Sequence, residues 1–367
     1  MLLFMPWCQI DKRYDFDHIR ILPYRRGIPT DGLDQVQQDR VDAIIGMYKT
    51  IEDKPIHSAS LLCLAGKAPI DELTEIEKDL AFELADLICF SGLARREFFA
   101  SAGHYCNRDS FTVYGQEFGP PDHGVLTWRQ RQGRCSSVWP MRKVGFSIPI
   151  HCYTVHEVTI DASLFESLVK YRAQANPREW DRWRDCISCF NQANTDSDNI
   201  RLQVEWVFMV GAFQRLLNAN QKDKDVARRF SNTVVPKTSL QTSTSQRRAR
   251  HWQASQEPLR YQWMREFYQI RNEFAHGQLS SSRSPVWTPM EHIVLGAIAF
   301  PLLVKCLLGE RGLYSLSYND RWEVDCFERL ADTKDFLNPP TDPQSSHDTH
   351  WNRLHQEWIW QSAKNIP

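Results

Sequence analysis

The feature that most limits how this chain can fold is a change of hydrophobic period near Asp161. Before that residue, apolar positions fall in short alternating or β-branched pieces broken by turn residues. After it they recur at steps of three and four, and they go on doing so for about half the chain. A strand presents one face every second residue and a helix every 3.6, so neither pattern buries a face in the other conformation. The change therefore predicts an α+β chain in two parts. A mixed α/β domain spans residues 1–160, an all-helical bundle spans 161–335, and a polar tail with Pro339-Pro340 spans 336–367.

In the first part, Tyr14 to Tyr24 reads as a strand. Asp71 to Phe90 reads as a helix whose Leu73, Ile76, Leu80, Leu84 and Leu87 line one face, with acidic residues in the turns where the helix dipole favours them. Ser110–Phe118, Gly124–Gln130, Val144–Ile150 and Tyr153–Ile160 read as strands, with a turn at Gly119-Pro120-Pro121-Asp122. A small sheet with one or two helices is expected.

In the second part, Asp161 is placed to cap a helix that buries Leu164, Leu168 and Tyr171. Pro177 opens a helix carrying Trp180 and Trp183. Asn194-Thr195-Asp196-Ser197-Asp198 is a start signal for a long helix over about 200–218, with Val204, Val207, Phe208, Ala212 and Leu216 as its apolar side. Between Val235 and Pro258 the chain turns to Ser, Thr, Gln and Arg and reads as a mobile loop. A helix resumes near Leu259 and stops at Gly277. Thr288-Pro289-Met290-Glu291 is a capping box with proline at the first helical position, opening a helix to Gly309.

Bulk properties exclude several classes. The 367 residues carry a formal net charge of -1 with 24% charged residues, so no global field draws the chain to nucleic acid or membrane. Ten cysteines at irregular spacings give no disulfide framework and read as reduced thiols. Met1-Leu2-Leu3-Phe4-Met5 is apolar but short and unpreceded by basic residues, a poor signal peptide. The apolar run Ile293–Val304 is too short to span a bilayer and suits a buried helix. A soluble, cytoplasmic protein without membrane attachment is expected.

The chemistry concentrates between Trp263 and His276. Trp263, Phe267, Ile270 and Phe274 form one stripe, and Arg271 lies on its border, where the stem packs and the guanidinium reaches a groove edge. His276 precedes Gly277 in the last turn, whose partial negative charge favours imidazolium. A histidine that titrates near neutrality suits general acid–base work, and a permanently charged arginine binds phosphate in bidentate fashion. Five residues apart on an ideal helix, the two side chains diverge by about 140°. Either the helix end unwinds, or a twofold partner completes the site.

The segment Tyr268-Gln269-Ile270-Arg271-Asn272-Glu273-Phe274-Ala275-His276-Gly277 resembles the motif of the HEPN superfamily, and its Arg-Asn-x-x-x-His-Gly form resembles the Apea-like branch. The likeness spans at most residues 161–313, and its specific part is this motif. It implies a four- or five-helix bundle, homodimeric, that cleaves RNA without a metal or other cofactor through attack of the ribose 2′-hydroxyl. Arg271 and His276 would be catalytic and Asn272 would support them. It further implies a role in bacterial antiphage or stress defence, with a ligand or phage-derived trigger at the N-terminal domain. The alternative it allows is a non-catalytic HEPN dimer that binds RNA, a nucleotide or a protein.

Weaker signals stand beside these. Glu205 reads as solvent-facing, with support of Arg271 as its functional alternative. Arg228-Arg229 and Arg247-Arg248-Ala249-Arg250-His251-Trp252 are candidate RNA contacts or solvated loop. Cys186-x-x-Cys189 lacks a second pair and reads as helix cysteines. His104, Cys106, Cys135 and Cys152 have no known ligand spacing, and His347, His350 and His355 lie in the tail. No metal is expected. Leu64-Ala65-Gly66-Lys67 lacks the glycine spacing of a phosphate loop.

Overall fold

A computed structural model describes the chain except residues 97–105, 119–122, 131–132, 141–144, 150, 153–154, 198, 221, 249–254, 276–283, 335 and 338–367; over 118, 123–130, 133–140 and 155–157 it describes backbone alone. It is an α+β protein dividing into two compact units. The first comprises Met1–Glu166 with Thr195–Asp198, and the second comprises Ser167–Asn194 and the chain from Asn199.

The first unit is built on a seven-stranded antiparallel sheet. Its strands are β1 (Leu2–Met5), β3 (Tyr14–Asp15), β4 (Ile19–Arg25), β6 (Ser58–Leu64), β7 (Tyr114–Phe118), β8 (His123–Gln130) and β9 (Gly133–Pro140), in the order β3-β4-β6-β1-β7-β8-β9. Two short parallel pairs flank it. β2 (Cys8–Ile10) joins β11 (Val155–Val158), and β5 (Tyr48–Lys49) joins β10 (Phe146–Ser147). The helices are α1 (Gln35–Ile45), α2 (Glu75–Leu93) and a 3-10 turn at Arg108–Phe111.

The apolar N-terminus is thus a central strand between β6 and β7. All four residues of β1 are buried, because both faces are covered. Leu2 and Phe4 join Leu22, Tyr24, Leu61 and the α1 residues Val41, Ile44 and Ile45 in one cluster. The alternate positions Leu3, Met5, Ile21 and Leu62 are buried as well. The stretch Tyr14–Tyr24 is a hairpin, β3 turning into β4, rather than one strand. The Asp71–Phe90 helix begins later than its acidic residues suggest, because Thr74 and Glu77 form a capping box. Ile76, in the first turn, is exposed instead of on the buried face.

Six helices and the greater part of a seventh build the second unit among the described residues. They are α3 (Ala162–Gln174, within which the two units divide), α4 (Pro177–Gln192), α5 (Leu202–Leu216), α6 (Asp223–Thr233), α7 (Leu259–Ala275), α8 (Pro289–Glu310) and α9 (Tyr318–Asp332). Asp161 Oδ1 accepts the Leu164 amide at 3.1 Å, and Leu164, Leu168 and Tyr171 are buried, as the capping argument requires. Thr288 and Glu291 form the expected box at the start of α8. At 22 residues α8 is long and apolar enough to cross a bilayer, so length does not exclude a span; with 72% of its most apolar stretch buried, it is a core helix.

Two expectations fail on physical grounds. α5 starts at Leu202 without a side-chain cap, and its buried face is Trp206, Met209, Val210, Ala212, Phe213 and Leu216. The helix is therefore rotated from the expected face. Val204 is 43% exposed, while Val207 and Phe208 are part-buried. The Ser/Thr/Gln/Arg stretch is also fastened over residues 235–248, while 249–254 lie outside the described residues. α9 carries Asp325, Glu328 and Asp332 at steps of three and four, on one helix face, and these carboxylates take its backbone amides. Asp325 accepts from Lys237 N at 2.7 Å, Glu328 from Leu240 N at 2.5 Å, and Asp332 from Gln246 N at 3.1 Å and Arg247 N at 3.2 Å. Composition signalled mobility, but the partners lay some 85 residues ahead.

Candidate functional site

The site begins with why α7 leaves the core at its C-terminal end. Trp263 and Phe267 are fully buried, packed with Phe213 of α5 and with each other. Further along the same stripe Ile270 and Phe274 are only part-buried, as is every residue from Gln269 to Phe274. Trp206 of α5 secures this end. Its indole N–H donates to the Phe267 carbonyl at 3.0 Å, and its ring meets Phe274 edge-on at 5.2 Å.

Arg271 stands on this partly open end. Its Nη1 donates to Asn272 Oδ1 at 3.0 Å, and its guanidinium lies 5.9 Å from the centre of the Tyr268 ring. Its Nε is buried and meets no hydrogen-bond partner among the described residues. Among the described residues no carboxylate forms an ion pair with it. Most buried cations in this unit are satisfied: Arg260 pairs with Glu328 at 2.8 Å and Lys305 with Asp320 at 2.6 Å. Arg182 and Arg247 also keep a buried Nε without a described partner, but each has a carboxylate beside it; Arg271 has none among the described residues, which leaves its charge for an anion.

The predicted residues come together in part. Arg271 and Asn272 are neighbours joined by a hydrogen bond. His276, one residue beyond the last residue of α7, lies outside the described residues, as do Arg250, His251 and Trp252. Glu205 is buried in the first turn of α5 rather than solvent-facing, because α5 is rotated; no ion pair joins it to Arg271. Arg247 is corrected from candidate RNA contact to structural cation. Its side chain is 4% exposed, donates to both oxygens of Glu291 at 3.1 and 2.6 Å, and also donates to the Thr333 carbonyl. Burial opposes the Glu291 carboxylate, but Arg247 together with Thr288 outweighs it and holds Glu291 below its ordinary range. Arg248 is exposed and bonds the Ser243 carbonyl at 3.1 Å. Arg228 is exposed on α6, and Arg229 pairs with Asp225 at 3.2 Å. None of these cations shares a hydrogen bond or ring contact with Arg271.

Two residues escaped the sequence reading. His292 of α8 is fully buried, and its Nε2 lies 3.1 Å from Glu266 Oε1 of α7. The available signal was a lone polar residue on the otherwise apolar face of a core helix.

The cysteines offer no centre. Cys186 is buried, and Cys189 lies 3.1 Å from an Arg215 nitrogen. Burial pushes the Cys106 thiol up to about 12 and Cys152 up to about 11, which keeps both protonated and unreactive. Among the described residues, no three His, Cys, Asp or Glu side chains gather as a metal site; His104 and Cys135 lie outside them. The first unit carries an open depression of about 610 Å³, lined by Asp15, Asp17, Arg20, Gly66 and Lys67 among others. Lys67 is spent there on Glu77 at 3.0 Å. Compared with protein-family models, with curated proteins and with solved structures, the chain matches none.

Proposed function

We propose that the second unit is a metal-independent endoribonuclease of HEPN type, with RNA as its substrate. The observation that carries this reading is Arg271: oriented by Asn272 and Tyr268, met by no carboxylate among the described residues, and beside a histidine in the adjoining sequence. Arg271 holds the scissile phosphate and offsets charge as the 2′-oxygen attacks phosphorus. His276 takes the 2′-hydroxyl proton and returns a proton to the departing 5′-oxygen, leaving a 2′,3′-cyclic phosphate. Asn272 keeps the guanidinium aimed.

The working form is a homodimer. The exposed Val204 with part-buried Val207 and Phe208, on the helix that packs against the Arg271 end of α7, supports a second copy there. The first unit senses a ligand or phage-derived trigger, and the cellular role is defence in the bacterial cytoplasm.

The test is cleavage of mixed cellular RNA in EDTA by wild type, Arg271→Ala and His276→Ala, with analysis of product ends. Cleavage by wild type alone, about a hundredfold or more above either variant and leaving cyclic phosphate, is the expected result. Equal cleavage by all three removes the site. RNA binding without cleavage points to the non-catalytic module instead.

A further inference from the structure

Among the described residues four glycines lie inside helices, and three of them are explained by a neighbour. A Cβ at Gly92 would collide with the Phe111 ring at 2.3 Å. One at Gly296 would press on Met209 at 3.1 Å, and one at Gly309 would meet the Tyr314 carbonyl oxygen at 3.4 Å. At Gly211, inside α5, nothing beyond the helix's own backbone lies within 4 Å. A glycine inside a helix costs about 1 kcal/mol against alanine. The other three offset that cost by making room for their own chain, whereas Gly211 makes room for nothing in its own chain.

Gly211 shares its face of α5 with Val204, Val207 and Phe208. These stand three, four and seven residues apart along the helix, and seven residues return to the same side within about 20°. The face is turned away from the core. Val204 is 43% exposed and Val207, Phe208 and Gly211 are part-buried, while Trp206, Met209, Val210 and Phe213 are fully buried. No charged residue interrupts the stripe, and Arg215, one turn further on, turns its Nη1 to Cys189 Sγ at 3.1 Å. Exposure alone does not single this face out, since Val36 and Ile76 are more exposed. What does is a protruding valine and a missing side chain on one line, two turns or about 10.5 Å apart.

A knob and a slot on one stripe are self-complementary about a twofold axis midway between them. Such an axis runs the second helix antiparallel and brings Val204 opposite the partner's Gly211, and Val207 opposite the partner's Phe208. A parallel crossing would set valine on valine and slot on slot. An unrelated chain would have to bring its own matching knob and slot, whereas a second copy carries both by symmetry. Resting on the homodimeric reading above, we propose that two copies of this chain cross antiparallel at α5. Val204 of each is seated at Gly211 of the other, and the twofold axis passes between Val207 and Phe208. The missing side chain lets the helix axes approach to the lower end of the usual range, about 8 Å.

The test is sedimentation of the full chain over a concentration series, with thermal midpoints read in dilute solution, where the monomer prevails. Wild type is expected to dimerise. Gly211→Ala is expected to raise the monomer's midpoint and yet raise the dimer dissociation constant by about tenfold, because a methyl enters each of the two symmetric contacts. Gly211→Val should raise the constant by about a hundredfold or more. Exchanging knob and slot, with Val204→Gly and Gly211→Val together, should return association to within about tenfold of wild type, a rescue that a purely structural glycine would not give. A wild type that stays monomeric overturns the crossing. So does a dimer indifferent to Gly211→Val, or an exchange variant that associates no better than Gly211→Val alone. RNA cleavage is read on the same wild-type protein. Cleavage by a dimer indifferent to Gly211→Val sinks the crossing and spares the ribonuclease reading. A dimer that Gly211→Val dissociates but that cuts no RNA spares the crossing and sinks the ribonuclease.

Discussion

The strap at 235–248 and the C-terminal end of α7 both carry arginines that the sequence offers as RNA contacts, and the structure treats them in opposite ways. In the strap, Arg247 is enclosed and met by both oxygens of Glu291, and the backbone beside it is taken by Asp332. At the end of α7, Arg271 meets no carboxylate among the described residues and leans on an asparagine and a tyrosine, although a buried Nε without a described partner is something it shares with Arg247. A charge that the fold has already compensated holds structure. A charge left uncompensated at a partly open helix end is available to a ligand. Local basicity does not distinguish the two; the position of the carboxylates does.

The strongest way to break this contrast is to remove a compensated cation. Arg260 binds Glu328 at 2.8 Å, the Ser231 carbonyl at 3.0 Å and Ser239 Oγ at 2.9 Å, and both members of the ion pair are buried. Arg260→Ala strands the Glu328 carboxylate that also holds the strap, and should cost about 3–5 kcal/mol in denaturant unfolding. A loss below about 1 kcal/mol would show that compensation is not what holds this half.

Next in size is the acid response of Asp320. Burial alone would raise its carboxyl, but Lys305 at 2.6 Å, with Ser317, brings it down to about 2 from an ordinary 3.8. Because the folded value is depressed, the stabilisation is complete above about pH 4 and is lost as pH falls through about 2. It amounts to about 2 kcal/mol. Thermal midpoints measured from pH 5 to pH 2 should drop for wild type more steeply than for Asp320→Asn.

A smaller effect is expected on α5. A side chain at Gly211 would meet nothing within 4 Å, whereas one at Gly296 would press on Met209 at 3.1 Å and Phe267 at 3.2 Å. Gly211→Ala should therefore stabilise by about 0.5–1 kcal/mol and Gly296→Ala should destabilise. Equal signs in a thermal melt would contradict the packing on the two helices. Smallest of all is Arg271→Ala, which strands no carboxylate and should shift stability by less than about 0.5 kcal/mol. A loss comparable to that of Arg260→Ala would mean Arg271 is structural.

Those elements whose signals are local were legible from sequence. The capping box at Thr288–Glu291, the proline opening α4 and the span of α7 depend on residues within a turn of one another. So does the placement of Arg271 and Asn272 on the last turns of α7. What escaped depends on distant partners. The face of α5 cannot be chosen between two apolar sides until α7 and α8 are in place, which is why spacing alone puts Val204 on the buried face and Glu205 toward solvent. The capping cluster at residues 194–198 did not cap α5, whose N-cap is Arg201; Thr195–Asp198 belong to the other unit, and Asp196 takes a positive φ of 54°.

By itself, then, the sequence determined the two periods, the α+β class, the starts of α3, α4 and α8 and the short stretch that carries both arginine and histidine, because each rests on spacing along one chain. Tertiary structure alone decided that the strap is fastened, that Arg247 is paired with a carboxylate, that Arg271 meets none among the described residues, and that Glu266 and His292 are joined. The physical reason is that charge compensation and burial are properties of pairs, and these pairs lie 26 to 88 residues apart.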